Sequence, residues 1–341
     1  MLKIIDGNTT PQLSMAEYIW FDGKYIFSTT KLIEIYPTED NENLPVPNIK
    51  PISIEDGDTE FILNPVHYVL DPFQKGIHYI VLCDIYVDGQ TVHRCNTRSH
   101  LNKVISSGGN KAESLVTFTQ QFYLYKPKKH IEGVDTNTSV LGWDNTGVEP
   151  IHNSKYGVGE ERVSGREILM EHLRTCMDSG LLVCGFNAED DLGKWSFKVG
   201  YRNFSSDEDD ATPIISSDHL IFARYLLQRI CEKYQLAVDY AYKDCKLKVN
   251  YSTWATREKR QKKVENVPSN ITDLISVLES THSEYTLAIG QGRSPFKVRI
   301  PLSSIHQGYG HIEDERPKGD SDPYIICSKL IEHSCGLWIP S

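Results

Sequence analysis

The sequence predicts an α+β protein: a small, mostly-β unit over residues 1–105, and a larger unit over 106–341 in which helices flank an antiparallel sheet. Three observations support this. Before residue 106 the apolar runs have strand length and are separated by turn residues. After it, stripes at helical spacing alternate with segments of period two. The period-two segments of the larger unit carry polar residues on one side, so that side of their sheet reads as the wall of a cavity.

In the small unit the strand signals are Tyr18–Phe21, closed by Asp22-Gly23, then Tyr25–Phe27, Leu32–Tyr36, Phe61–Leu63 and Tyr79–Tyr86, with Asp88-Gly89 as a turn. Leu44–Pro51 reads as a loop, because Pro45, Pro47 and Pro51 cannot donate to a central ladder. In the larger unit, Ser164 with Glu167 forms a capping box, and Leu169, Leu173, Cys176 and Met177 make one helical stripe that Gly180 stops. Gly185–Gly200 then reads as two strands joined by the polar turn Asp190–Lys194. Trp195, Phe197 and Val199 alternate with Ser196 and Lys198, and Asn187 shares a side with Glu189, so the hairpin presents one greasy and one polar face. A helix over Asp218–Tyr234 and another starting near Asn270 follow at core spacing; between them Leu247, Val249 and Tyr251 alternate with Lys248, Asn250 and Ser252.

At 341 residues and 39% hydrophobic content the chain has enough apolar material for two domains. A net charge of −10 argues against nucleic acid or an anionic membrane as partner. The eight cysteines contain no Cys-x-x-Cys pair, and several sit in apolar runs such as Val81-Leu82-Cys83, as reduced thiols of a cytoplasmic protein do. Met1–Met15 lacks the basic and apolar regions of a leader, and no run has the length of a membrane span. The acidic stretch Ser205–Asp210 and the basic run Arg257–Lys263 read as solvated surface. Gly157-Val158-Gly159 and Gly290-Gln291-Gly292 read as turns, since neither has the third glycine of a phosphate loop; there is no Gly-x-Ser-x-Gly elbow and no His-x-x-x-His pair.

Asn187-Ala188-Glu189 followed by Gly193-Lys194-Trp195-Ser196-Phe197 is similar to the metal-binding hairpin of eukaryotic-type (type II) glutamine synthetases. The resemblance extends through Ala16–Trp20, Asp71-Pro72-Phe73, Tyr156–Gly159, Gly165-Arg166, Asp218-His219-Leu220, Ala223-Arg224, Asn250–Thr253 and Glu313-Asp314 with Arg316-Pro317, from about Ala16 to Leu330. It implies a β-grasp N-terminal domain and a glutamine-synthetase-type C-terminal domain. It also implies pentameric rings, possibly paired as a decamer, and ATP-dependent joining of glutamate and ammonia with Mg2+ or Mn2+.

The residues at the implied site positions depart from that chemistry. One metal of the family would be held at Gln121, Glu189 and Ser196, and the other at Thr119, Lys248 and Glu313, so each set keeps one carboxylate. Hard divalent ions need several oxygen ligands, and an ammonium repels a cation. Lys248 is therefore expected to form an ion pair with Glu313 or Glu189, or to snorkel to water. The implied substrate and phosphate arginines survive as Arg299 and Arg316, whereas Ser294 and Glu315 stand at two others. Lys50 falls where the family's small domain offers an aspartate to the neighbouring subunit. A family loop with a closing glutamate is reduced to Tyr285–Gly292 after an expected strand. These departures together lead to the expectation of a glutamine synthetase homologue that has lost catalysis, needs no cofactor, and acts as a homo-oligomer or by co-assembly with an active synthetase. The alternative is a surviving ATP-dependent ligase with an altered site.

Overall fold

The structure, a computed structural model, describes residues 11–36, 46–57, 59–127, 130–131, 134–135, 139–142, 155–159, 162–200, 211–257, 267–292 and 294–339. It divides into two compact units, Met1–Ser99 with Asp178–Gly180, and His100–Met177 with Leu181–Ser341.

The smaller unit is one mixed sheet. Its strands are β1 (Gln12–Phe21), β2 (Ile26–Tyr36), β3 (Val46–Pro47), β4 (Ile52–Asp56), β5 (Thr59–Leu70) and β6 (Tyr79–Tyr86), in the order β3-β2-β1-β6-β5-β4. The central pair β1 and β6 is parallel. Alternate residues Ala16, Tyr18, Ile33, Ile35, Leu63, Val81 and Ile85 pack into one core. The two strands expected at 25–36 are one, because β-branched Thr29 and Thr30 continue the pairing with Tyr18 and Glu17. Val46–Pro47, expected in a loop, forms a two-residue edge strand against Tyr36 and Ile35, where a missing N–H costs no ladder bond. β5 is longer than its sequence signal and shifts register between Pro65 and His67.

The helices that follow this sheet in the chain are α1 (Thr97–Ser106), α2 (Arg166–Asp178), α3 (Pro213–Lys233), α4 (Trp254–Arg257), α5 (Ile271–Ser280), α6 (His282–Ala288), α7 (Leu302–Gln307) and α8 (Pro323–Cys335), all but the first three residues of α1 and the last of α2 within the larger unit. Its strands are β7 (Leu115–Lys126), β8 (His130–Ile131), β9 (Val134–Asp135), β10 (Ser139–Val140), β11 (Val183–Ala188), β12 (Lys194–Gly200), β13 (Ala237–Asp239), β14 (Leu247–Ser252), β15 (Val298–Arg299) and β16 (Ile312–Asp314). The main sheet runs β11-β12-β7-β14-β16-β15, antiparallel at every step, with β10 and β13 also on β7. The expected α+β class and the large antiparallel sheet are therefore observed.

One face of that sheet is the core. Phe118, Phe122, Trp195, Phe197, Leu247, Val249 and Ile312 are all essentially inaccessible. Helix α3 lies against them and is buried on almost every side, which explains why Leu220, Ile221, Phe222, Leu226 and Leu227 crowd its sequence. It starts five residues before the expected Asp218, at a signal the sequence did contain: Thr212 caps it by accepting from the Ile215 N–H, and Pro213 takes the first turn. Helix α8, unanticipated from sequence, is framed by the Asp322 cap, Pro323 and a left-handed Gly336. The strand expected before Tyr285–Gly292 is absent, because Tyr285 and Thr286 lie within α6.

Candidate functional site: the polar face of the large sheet

Registers of the sheet bring most of the sequence-selected residues into rows. Across β12, β7 and β14, Lys198 stands opposite Thr119 and Thr119 opposite Lys248. The next row joins Gly200, Thr117, Asn250, Glu313 and Arg299. On the other side, Asn187 faces Ser196, and Ser196 faces Gln121. Residues two apart share a face, so Thr119, Gln121, Ser196, Lys248 and Glu313 occupy a single polar surface, the counterpart of the buried apolar one. The hairpin Val183–Gly200 with its turn at 190–193 forms as expected.

The charges on this surface are paired within the protein. Lys248 Nζ donates to Glu315 Oε1 at 2.8 Å. The expected partners were Glu313 or Glu189, and the register explains the difference. Asn250 is opposite Glu313, which sets Glu315 opposite Lys248, while Glu313 is engaged by Arg299 Nη2 at 2.5 Å. Glu189 is buried, accepts the Ser196 hydroxyl at 2.6 Å and has Lys155 Nζ at 3.8 Å. Gln121 accepts the Lys246 backbone N–H at 3.1 Å. Burial pushes the Glu315 carboxyl up, but the hydrogen bond and charge of Lys248, with Arg299 and Lys297, outweigh it and hold the group below its ordinary value. Among the described residues, no group of three or more His, Cys, Asp or Glu side chains is placed to hold a metal ion.

Other selected residues are elsewhere. Arg316 turns into the core: its guanidinium is fully buried, bonds both oxygens of the equally buried Asp314 at 2.9 and 2.8 Å, and lies 3.8 Å from the Tyr285 ring centroid. Its neighbours Pro317 and Ile312 are buried, so the alternation of β16 puts 314 inward and 313 and 315 outward. Ser294 has a buried hydroxyl with no hydrogen-bond partner among the described residues, and its carbonyl meets His282 Nε2 at 2.7 Å. Lys50 is exposed in the smaller unit, its carbonyl accepting from the Tyr18 hydroxyl at 3.0 Å. The stretch Ser205–Asp210 and residues 258–263 of the basic run lie outside the described residues.

A cleft of about 1160 Å3 opens beside the Thr117 row, lined by Thr117, Lys198, Asn250, Ser252, Arg257 and His311 among others. Burial depresses the His311 imidazole below its ordinary value, and Lys198 adds to this against the opposing charge of Glu313. Arg257 spans the wall by donating to the Glu113 carbonyl at 2.6 Å and the Ser252 hydroxyl at 3.1 Å. Lys198 was placed from sequence on the polar face of the hairpin, whereas Arg257 and His311 were not selected as site residues. The alternation of the hairpin made Lys198 legible; Arg257 and His311 carried no such signal, since they arrive from separate elements.

No protein-family model matches the chain. Full-length relatives do. Over 351 residues the chain is 29% identical to the glutamine synthetase of Streptomyces viridochromogenes, covering 94% of this chain and 96% of that protein. The chloroplastic glutamine synthetase of Chlamydomonas reinhardtii is 27% identical over 93% of this chain and 89% of its own length. The glutamine synthetase of Saccharomyces cerevisiae is also 27% identical, over 94% and 89%. Over nearly its whole length the chain is similar to glutamine synthetases. The fold is that of a glutamine-synthetase-like ligase. No helix among its described residues is long and apolar enough to cross a membrane.

Proposed function

We propose that this glutamine synthetase homologue has lost ATP-dependent glutamine formation and serves a structural or regulatory role in an oligomer. The observation that carries this reading is the 2.8 Å ion pair between Lys248 and Glu315 at the middle of the polar face. By the family resemblance Lys248 takes the place of a metal-binding histidine and Glu315 that of a phosphate-facing arginine, so two sites of opposite function have exchanged charge together. A salt bridge between them supplies internally the neutralisation that a cation and an anionic substrate would bring.

The donor sets at the two implied metal positions do not fit Mg2+ or Mn2+. Glu189 brings one carboxylate, already taking the Ser196 hydroxyl, beside the neutral amide of Gln121. Glu313 brings the other, held by Arg299, beside Thr119 and the Lys248 ammonium. Protein-held Ca2+ or Mg2+ sites are built from multiple oxygen donors, and a lysine donates rather than accepts. Arg316 is committed to Asp314 on the opposite side of the sheet and has no free donor face toward the site.

The family relationship supports a homo-oligomer, for which pentameric rings or a decamer are the proposed forms, and makes co-assembly with an active synthetase the proposed regulatory route. A cytoplasmic location is proposed on the same relationship and on the burial of six of the eight free thiols, Cys95 and Cys184 excepted.

A second reading, a ligase with altered metal use, is favoured by the open cleft with Lys198, Asn250 and Ser252 on its wall. One assay separates the two. The purified protein is supplied with glutamate, hydroxylamine, ATP and Mg2+ or Mn2+, and γ-glutamyl hydroxamate is measured. The first reading expects none above background. Product formation that disappears in Glu189→Ala would establish the second.

A further inference from the structure

Three lysines that the glutamine synthetase resemblance does not involve stand together at one end of the polar face. Lys246 lies immediately before β14, two residues ahead of Lys248, in extended backbone bridged to Lys318, and so shares the side of Lys248. Lys318 is bridged to Lys246 directly across the antiparallel pairing. Lys297 is opposite Glu315, whose backbone N–H donates to the Lys297 carbonyl at 2.9 Å. Like charges placed directly opposite one another in a sheet are destabilising, and this protein carries an excess of ten negative charges with which to avoid them.

Among the described residues, the two carboxylates that act on Lys246 are both engaged elsewhere. Burial and the neighbouring Lys297 and Lys318 charges lower the ammonium of half-buried Lys246, against the pull of Asp244 and Glu315. Those two carboxylates are already engaged, Asp244 by Lys194 at 3.0 Å and Glu315 by Lys248 at 2.8 Å. Among the described residues, none of the ammonium groups of Lys246, Lys297 and Lys318 has an ion-pair or hydrogen-bond partner.

We propose that Lys246, Lys297 and Lys318 form a binding site for a compact phosphate polyanion, taken without a metal ion. Ammonium groups arriving from three separate strands or loops suit a small ligand that presents several oxygens in different directions. Lysine binds phosphate as a point charge with three donors, whereas planar carboxylates are matched by the arginine fork. Two linked phosphates offer enough charge to relieve all three cations. The site is independent of the catalytic reading, because none of its residues occupies a position assigned to metal or substrate by the family resemblance.

The test uses the full-length protein in EDTA, so that no divalent ion can bridge, with inorganic pyrophosphate as probe. Calorimetric titration is expected to show saturable binding, and thermal unfolding a pyrophosphate-dependent rise in Tm, as ligation of the native state requires. The variant Lys246→Gln/Lys318→Gln removes the facing like charges, so it should fold with a Tm equal to or above the parent. It should bind pyrophosphate at least about tenfold more weakly, a loss of roughly 1.4 kcal/mol. ATP binding in EDTA with the same dependence on Lys246 and Lys318 would identify a nucleotide's phosphate tail as a source of the ligand; pyrophosphate binding alone would identify the free anion. Absence of binding, binding unchanged in the double variant, or a Tm rise reproduced by sodium chloride at matched ionic strength would overturn the proposal. Each outcome is read without turnover, so hydroxamate formation in the metal-containing assay leaves this result standing.

Discussion

At the scale of single residues, the site is governed by which charge finds which partner. Lys248 and Glu315 are each about a quarter exposed, with side-chain accessibilities of 21% and 28%. Solvent screening therefore limits what their pair contributes. Lys248→Ala is expected to lower stability by about 1 kcal/mol, and Lys248→Ala/Glu315→Gln by less than the sum of the single changes, because the second substitution removes the stranded carboxylate. Urea unfolding of the four proteins checks this, and strict additivity would contradict the pairing. His172 behaves differently, being enclosed: its Nε2–H donates to the Ala223 carbonyl at 2.9 Å, and burial lowers its imidazole from 6.5 to about 4. The neutral ring is the native form, so the unfolded chain takes up a proton as pH falls below 6.5 while the native protein does not until about 4. Stability supplied by the neutral ring is thus complete above pH 6.5 and lost progressively between 6.5 and 4, by about 3 kcal/mol in all. His172→Gln should flatten the stability profile over that interval, measured as the urea midpoint against pH.

At the scale of elements, β7 and the strand on either side of it decide where the polar surface lies. Gly200 closes β12 with a φ of +124°, and a Cβ there would collide with the carbonyl oxygen of Val116 on β7. Gly200→Ala is expected to destabilise by more than about 1 kcal/mol and to loosen the hairpin that holds Glu189 and Ser196, visible as faster amide exchange over Val183–Gly200. The strand β16 is anchored from beneath by the Asp314–Arg316 pair, both side chains fully buried. Arg316→Ala strands a buried carboxylate, so a loss of roughly 3–5 kcal/mol is expected in thermal or urea unfolding. The hairpin and the alternation of β14 were legible in sequence because period-two patterning depends only on neighbours along the chain. The cross-strand register was not, and it is the register that gives Lys248 to Glu315 rather than to Glu313. The inward turn of Arg316 was hidden for the same reason: a retained arginine in a family motif says nothing of which face its strand presents. Lys246, Lys297 and Lys318 escaped notice because they lie 21 to 72 positions apart in the sequence and become neighbours only through the pairing of separate strands.

At the scale of the whole molecule, the family resemblance and the proposed loss of catalysis meet in the question of assembly. If the active-site chemistry has been given up while the fold is kept, selection must act through surfaces. The smaller unit displays such a surface: on β1, β2 and β3, Leu13, Leu32 and Val46 are 72%, 69% and 58% exposed. Leu13 is paired with Glu34, Leu32 lies two residues from Glu34, and Val46 is paired with Tyr36, so all three stand on one face of the sheet, opposite the core that holds Ala16, Tyr18 and Ile33. Apolar side chains clustered on a sheet face are covered when subunits associate, and a closed ring covers them on every protomer. Native mass measurement is therefore expected to give a multiple of the 38.8 kDa chain, with five or ten copies as the forms the family resemblance implies. Leu13→Glu/Leu32→Glu should shift that mass toward the single chain while leaving the far-ultraviolet circular dichroism unchanged, since neither residue belongs to the core. A wild-type protein that runs as a monomer at micromolar concentration would remove the structural role proposed for it, and with it the reason to expect co-assembly with an active synthetase.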